Sequence, residues 1–282
     1  MSGTLFVVAT PIGNLEDITL RALRVLRESH VIAAEDTRRT ARLLAHHVIP
    51  TSMLSFHEHN TRTRIPQLLS RLEAGENVAL VTDAGTPGIS DPGIELVQAC
   101  IERGVEVDPV PGASAPLTAA IASGFPLEPL TIFGFPPVRA KARVEWLRKA
   151  SEVLNTFTFF EAPHRIHQTL TVAAVILVDR PIMIGRELTK LHQEFIRADT
   201  ASLVIGQMTA VRGEFTVVVG PATVRDNQQE QATEAQIADE FGRMAQNGGS
   251  KRREVLGAVA RKYGRSPRDV YAIVERAKKS VV

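Results

Sequence analysis

The feature that most constrains this chain is an alternation. Short apolar runs are followed by turns rich in Gly and Pro, and then by stretches with helical spacing. Leu5–Ala9, Val31–Ala34, Val78–Val81 and Val105–Val110 are the first four such runs. Between them, Leu20, Leu23 and Leu26 mark one helix, and Leu68, Leu69 and Leu72 mark another that stops at Gly75. Asp91 followed by Pro92 reads as an N-cap with Pro at the first helical position, and Gly104 closes that helix. Strands alternating with helices predict an α/β layer architecture with mainly parallel pairing.

The run Pro111-Gly112-Ala113-Ser114-Ala115-Pro116 breaks this series and precedes a small-residue helix from Leu117 to Ser123. A second series follows, with strands expected at Thr131–Phe135, Phe157–Phe160, Pro181–Gly185, Glu194–Arg197 and Phe215–Val219. Pairs such as Phe157/Phe159 and Glu194/Ile196 alternate faces, which predicts antiparallel or mixed strands. The chain therefore divides into an α/β domain over 1–113, a second over 114–222, a polar linker over 223–233 and a helical module over 234–282. In that module Thr233 and Gln236 form a capping box, and Ile237, Phe241 and Met244 share a face. Val255, Leu256, Val259 and Tyr263 mark a second helix. Ser266-Pro267 opens a third, carrying Val270, Tyr271, Val274 and Ala277, and the spacing of both tyrosines places them in the core. Three short helices with a tight turn before the last resemble a helix-turn-helix bundle.

Charge separates the module from the body. The 282 residues carry a net charge of +2, but residues 243–282 hold 11 Lys and Arg against three acids. The first 225 residues sum to −1. A near-neutral body with a basic tail points to a polyanionic partner. The one cysteine, Cys100, lies in an apolar stretch and reads as a small buried hydrophobe, so there is no internal disulfide and no cysteine-rich zinc site. The first residues lack a basic n-region, and no apolar run approaches membrane-spanning length, so a soluble cytoplasmic protein is expected.

Several chemistries find no motif. There is no P-loop, no G-x-S-x-G elbow, no H-E-x-x-H and no G-x-G-x-x-G after the first strand. What remains is four loops at strand ends, where open α/β sheets bind ligands. They are Thr10-Pro11-Ile12-Gly13-Asn14, Glu35-Asp36-Thr37-Arg38, Thr82 through Gly93, and Pro111 through Ala115. Their Gly and Ala residues let a ligand approach the backbone. His57-Glu58-His59-Asn60 offers two histidines at i, i+2 but no evident third ligand, so no metal is expected.

Taken together, ATPIGNLEDITLRAL, AAEDTR, FHEHN, VTDAGTPGISDPG, PGASA, TFFEAPHR and GRELTK resemble the tetrapyrrole-methylase superfamily of S-adenosylmethionine methyltransferases. Within it the chain is similar to the branch that acts on small-subunit ribosomal RNA. The resemblance runs from residue 4 to about 220, and the basic tail fits the same branch. It implies a class III methyltransferase fold of two α/β domains, with S-adenosyl-L-methionine in the cleft between them. By position it assigns Ile12, Ala84, Gly85, Thr86, Ile89, Ser114, Ala115, Phe160, Glu161, Leu188 and Phe215 to the donor. Where tetrapyrrole-modifying relatives carry Gly-x-Gly-Pro-Gly-Asp, this chain has Ala9-Thr10-Pro11-Ile12-Gly13-Asn14, which favours the RNA branch.

That branch methylates the 2′-hydroxyl of a cytidine in the decoding region of 16S ribosomal RNA, within the small ribosomal subunit, and the family is homodimeric. A ribose hydroxyl is a weak nucleophile, so a general base within hydrogen-bond reach helps. The candidates are Asp36 first, Glu187 second, then Glu35 and Asp83. Asp36 also reads as an N-cap for the helix from Thr37, and Glu187 as an ion-pair partner of Arg186 or Lys190. Asn14, Arg38, Arg165, Arg186 and Lys190 lie beside the loops as RNA contacts, while Arg39 reads as surface charge. In the tail, Lys251, Arg252, Arg253, Arg261, Lys262, Arg265 and Arg268 are expected to position phosphates. Two rival readings are a tetrapyrrole C-methyltransferase on the same scaffold and a non-catalytic RNA-binding assembly factor.

Overall fold

The structure is a computed structural model that describes residues 2–209, 211–222, 234–246, 252–263 and 266–279. They fall into two compact units, one within Met1–Ala222 and one within Thr223–Val282.

The first unit contains two sheets. β1 (Thr4–Val8), β2 (Val31–Ala34), β3 (Met53–Ser55), β4 (Val78–Val81) and β5 (Glu106–Val110) form an all-parallel sheet in the order β3-β2-β4-β1-β5. Helices α1 (Leu20–Glu28) and α2 (Thr37–His46) cover one face, and α3 (Thr61–Glu73) and α4 (Ile94–Glu102) the other. The two faces alternate along β2. Ile32 and Ala34 pack with Val25, Leu26 and Leu44, whereas Val31 and Ala33 pack with Leu68, Leu72 and Leu96. This is why those strands read as unbroken apolar runs: both sides are buried. Cys100 is fully buried in the second of these layers, and burial pushes its thiol up to about 11. β3 went unread in the sequence because it is a three-residue, half-buried edge strand with no period to detect.

α5 (Ala115–Ser123) leads into the second sheet, β6 (Leu130–Ile132), β7 (Thr156–Glu161), β8 (Ile182–Arg186), β9 (Glu194–Ala198) and β10 (Phe215–Val219), in the order β6-β7-β10-β8-β9. Only β6 and β7 are parallel. Helices α6 (Ala140–Ser151), α7 (Ile166–Ile176) and α8 (Ala201–Gln207) bury one face, against Phe157, Phe159, Ile184 and Val217. On the opposite face Ala119 of α5 packs on Met183 and Val218, together with Ile12 from the first sheet's loop.

One helix start differs from the sequence reading. α4 begins at Ile94, its N-cap is Gly93 and no side chain caps it. Asp91 therefore caps nothing. Positive φ at Gly85, Gly88, Ser90 and Gly93 coils residues 82–93 into a compact loop that carries Asp91 away from the helix end.

The second unit is a three-helix bundle of α9 (Glu234–Gln246), α10 (Arg252–Lys262) and α11 (Pro267–Lys279), with Ile237, Phe241, Val255, Val259, Val270 and Val274 at its core. Ser266 caps α11 through a reciprocal pair with Asp269. Two side chains expected inside are exposed, Met244 and Tyr271. Tyr271 follows Val270 and so lies about 100° around the helix from the buried face. Its ring lies under the Arg252 guanidinium at 5.4 Å. Thr233 and the side chain of Gln236, the expected capping box, lie outside the described residues. Among the described residues no helix is long and apolar enough to cross a membrane.

Candidate active site

In the first sheet the chain leaves β1 towards β2 on one side and leaves β4 towards β5 on the other. These two strands are neighbours, so a crevice opens at their carboxyl ends, the usual ligand position in open α/β sheets. Here the loops are stitched together. The Thr10 N–H donates to the Gly85 carbonyl at 2.8 Å, and the Gly85 N–H donates back to Thr10 at 3.1 Å. The second sheet closes the crevice. Because β10 runs antiparallel to β7 and β8, its first residue, Phe215, lies beside Glu161 and Arg186, the last residues of those strands. The loops of the two sheets interlock at Gly13. A Cβ there would stand 2.4 Å from Lys190 Cγ and 2.9 Å from the Leu188 carbonyl oxygen, so only glycine fits.

The result is a cavity of about 410 Å³, within the ~300–1,000 Å³ common for small-molecule sites. Each of the eleven residues assigned by position to the donor lines it: Ile12, Ala84, Gly85, Thr86, Ile89, Ser114, Ala115, Phe160, Glu161, Leu188 and Phe215. Phe135 and Phe160, with ring centroids 5.2 Å apart, form an aromatic wall. Glu187 and Thr189 both adopt positive φ (51° and 64°), and Leu188 between them is buried against Ile12 and Met183.

One end of the cavity is acidic. Glu35, Asp83 and Asp91 line it, with Arg39 beside them. Glu35 accepts the Asp83 N–H at 3.1 Å, and burial raises its pKa. Asp83 accepts the Asp36 N–H at 3.1 Å and pairs with Arg39 at 3.3 Å. Arg39 is exposed, as expected of surface charge, and also lines the cavity. Asp91 is pushed up to about 7, first by burial and then by the charges of Glu35 and Asp83. The sequence reading missed this residue because Asp-Pro before an apolar run is also the signature of a helix start.

The other expected bases and RNA contacts are placed elsewhere. Asp36 does not line the cavity. It caps α2, and both its oxygens bond Arg38, which holds the carboxyl well below the usual range. Glu187 also lies off the cavity lining. Burial pushes its pKa up, but hydrogen bonds from Lys190 Nζ and the Glu214 N–H outweigh this, and the net shift is downward. Asn14 caps a single 3-10 turn over Leu15–Asp17.

Three expected RNA contacts are engaged in ion pairs with the protein's own acids. Arg165 is buried and bonds Glu161 at 2.6 Å and the Pro136 carbonyl at 3.2 Å. Arg186 pairs with Glu194 across the β8–β9 hairpin at 2.8 Å. Lys190 is held by Glu187 and Glu214 at 2.9 and 3.0 Å. Arg38 remains open to solvent, with its side chain 87% exposed.

In the helical module Arg252 pairs with Glu275 at 2.6 Å and Arg268 is exposed. Lys251 and Arg265, and the side chains of Arg253, Arg261 and Lys262, lie outside the described residues. The His57–Asn60 segment is a turn in which Asn60 Oδ1 accepts the His57 N–H at 2.9 Å. Among the described residues no group of three or more His, Cys, Asp or Glu is placed to hold a metal ion.

A parallel sheet and a mixed sheet share one cavity with an acidic end, and the comparisons place a chain of this fold among the methylases. The chain belongs to the family described as Tetrapyrrole (Corrin/Porphyrin) Methylases, whose profile matches residues 4–204. Within the family it is similar to the ribosomal RNA small subunit methyltransferase I of Bacillus subtilis (strain 168). The two are 42% identical over 272 residues, covering 95% of this chain and 93% of the relative. The protein of the same description from Halalkalibacterium halodurans is 48% identical over 218 residues, 77% of this chain and 75% of its own length. Among solved structures, a uroporphyrin-III C-methyl transferase from Thermus thermophilus complexed with S-adenyl homocysteine matches 77% of this chain and 97% of its own. Its TM-score is 0.54 at 20% identity, a likeness of fold alone.

Proposed function

We propose that this chain transfers a methyl group from S-adenosylmethionine to small-subunit ribosomal RNA, at the 2′-hydroxyl of a cytidine in the 16S decoding region. The observation that carries the reading is the cavity itself: glycine and alanine loops, an aromatic wall and an acidic end, in a chain 42% identical over nearly its whole length to a small-subunit rRNA methyltransferase. The donor, when bound, supplies an electrophilic methyl on a sulfonium centre. The residues fit such a group. Ala84, Gly85, Ser114 and Ala115 line the cavity with small side chains or none, so a ligand can approach their backbone, Phe135 and Phe160 offer it an apolar wall, and the carboxylates of Glu35 and Asp83 favour a cationic ligand. For a donor this reactive, most of the rate comes from placing the acceptor oxygen in line.

The charge on the helices that follow β2 and β3 supports a polyanionic acceptor. From residue 37 to 72 the chain carries six arginines and a single acid, Glu58. α2 and α3 both start at the carboxyl edge of the first sheet, and Arg38, Arg39, Arg42 and Arg62 are exposed there. With the basic helical module, these are our candidates for phosphate contacts. On the strength of the family resemblance, the reading includes a cytoplasmic homodimer that works within the small ribosomal subunit.

The test is transfer of labelled methyl from S-adenosylmethionine to small subunits lacking the modification, followed by nuclease mapping. A 2′-O-methylated cytidine in the decoding region is the expected product. Donor binding without transfer to subunits or to free rRNA would refute the acceptor.

A further inference from the structure

The loop between β4 and α4 is built against its own local preferences. Asp91-Pro92 stands where a helix start would use it, yet α4 opens two residues later without a side-chain cap. Ser90 adopts φ +64°, an uncommon conformation for a residue with a side chain. Gly93 has φ +143°, and a Cβ there would come within 2.9 Å of Leu80 Cδ2. Strain of this kind persists where surrounding structure holds it, and it gathers at functional sites. What the strained loop achieves is the delivery of one carboxylate to the acidic end of the cavity.

The carboxylates there are not equivalent. Glu35 holds the Asp83 N–H, while Asp83 holds the Asp36 N–H and the Arg39 guanidinium. Both oxygen sets already fix neighbouring loops. Asp91 makes no ion pair among the described residues, and the neighbour that favours its ionised form is the Thr82 hydroxyl. The charged groups sharing its cavity are Glu35 and Asp83 from the first sheet, Arg39 from α2, and Glu161 and Glu214 from the second sheet.

We propose that Asp91 is the catalytic general base, taking the proton of the ribose 2′-hydroxyl as that oxygen is methylated. The inference rests on the acceptor proposed above. The hydroxyl oxygen forms its bond to the methyl carbon as the carbon–sulfur bond breaks. The electron pair of that bond stays on sulfur, giving neutral S-adenosylhomocysteine, and the hydroxyl proton passes to Asp91. A base that titrates near neutrality suits this task, because a substantial fraction is ionised at neutral pH and it still takes up a proton. The positive charge of the donor further favours its ionised form.

The experiment is single-turnover methyl transfer to small subunits lacking the modification, from pH 5.5 to 9, for the full-length protein and for Asp91→Asn, with donor affinity by calorimetry. The wild-type rate is expected to rise about tenfold per pH unit below a break at or somewhat below 7 and to level off above it. Asp91→Asn is expected to retain donor affinity within about threefold. Its rate falls by about 10²–10⁴, the usual contribution of a general base, and the break disappears. A variant within tenfold of wild type that keeps the break overturns the proposal. So does a loss of donor affinity that matches the loss of rate, which makes Asp91 a donor-binding residue. Should the variant fail to fold, the wild-type profile decides: 2′-O-label at a rate independent of pH overturns Asp91 alone. Label on a base, or none on RNA, overturns the acceptor and the base together.

Discussion

Arg165→Met separates two roles for a residue that sequence alone reads as an RNA contact. The Glu161 carboxylate is fully buried, on the cavity wall. One oxygen accepts the Ala162 N–H at 2.8 Å and Arg165 Nη2 at 2.6 Å, and the other accepts Thr169 Oγ1 at 2.5 Å. Methionine keeps most of the side-chain volume but withdraws the only cation paired with this carboxylate among the described residues. Breaking a buried pair by removing one partner costs about 3–5 kcal/mol. The two remaining donors soften the loss, while the Pro136 carbonyl also loses its bond, so about 3 kcal/mol is the expected figure. For a unit of this size that is a fall in thermal midpoint of roughly 6–12 °C. Calorimetric melting and urea titration measure it. Replacing both partners, Glu161→Gln with Arg165→Met, should recover part of the loss, because contacting groups couple by ~0.5–3 kcal/mol. Arg165→Met should leave the salt dependence of RNA binding unchanged. A variant as stable as wild type, with a salt slope reduced by about one phosphate contact, would refute the internal role.

Arg180→Met should be similarly costly, by at least about 3 kcal/mol in urea titration. This buried guanidinium serves the carbonyls of Gly220, Val153 and Asn155 at 2.6–2.8 Å and stacks 4.8 Å over Phe157. Asp91→Asn should stabilise the free protein at pH 8. The folded pKa of Asp91, about 7, lies above its ordinary 3.8, so its favourable contribution exists below pH 4 and is lost as pH rises through 7. The gain is therefore absent at pH 3 and has an upper bound of about 4 kcal/mol above pH 7, less for partial solvent screening. Melting curves across that range check the sign. Asp36→Asn should leave both thermal midpoint and methyl-transfer rate near wild type, since Asn caps a helix as well as Asp. Asp36→Ala should lower the midpoint but not the rate, and a rate loss in both variants would return Asp36 to the catalytic candidates.

Much of the architecture was written locally. Strands buried on both faces must be apolar throughout, and a helix that ends must turn, so Val31–Ala34, Val78–Val81, Gly104 and Gly124 marked their elements without any tertiary information. The loops that line the cavity were readable as ligand candidates too, because Gly and Ala at strand ends let a ligand approach the backbone. The short edge strand Met53–Ser55 carried no such signal.

The fate of individual charges was not local. Asp91-Pro92 has the composition of a helix cap, and only the coiling of the whole 82–93 loop takes it into the cavity. Asp36 has the same kind of signature and does cap its helix. Arg165, Arg186 and Lys190 look alike in sequence to Arg38. Their guanidinium and ammonium groups are engaged because Pro136, Glu194 and Glu214 arrive from other strands and loops. The sequence by itself determined where the chain turns and which segments are buried, since those follow from period and turn chemistry within a few residues. Which carboxylate is left unpaired in the cavity, and which cations reach solvent, only the tertiary structure decided, because the energy of an ion depends on groups that packing brings to it from far along the chain.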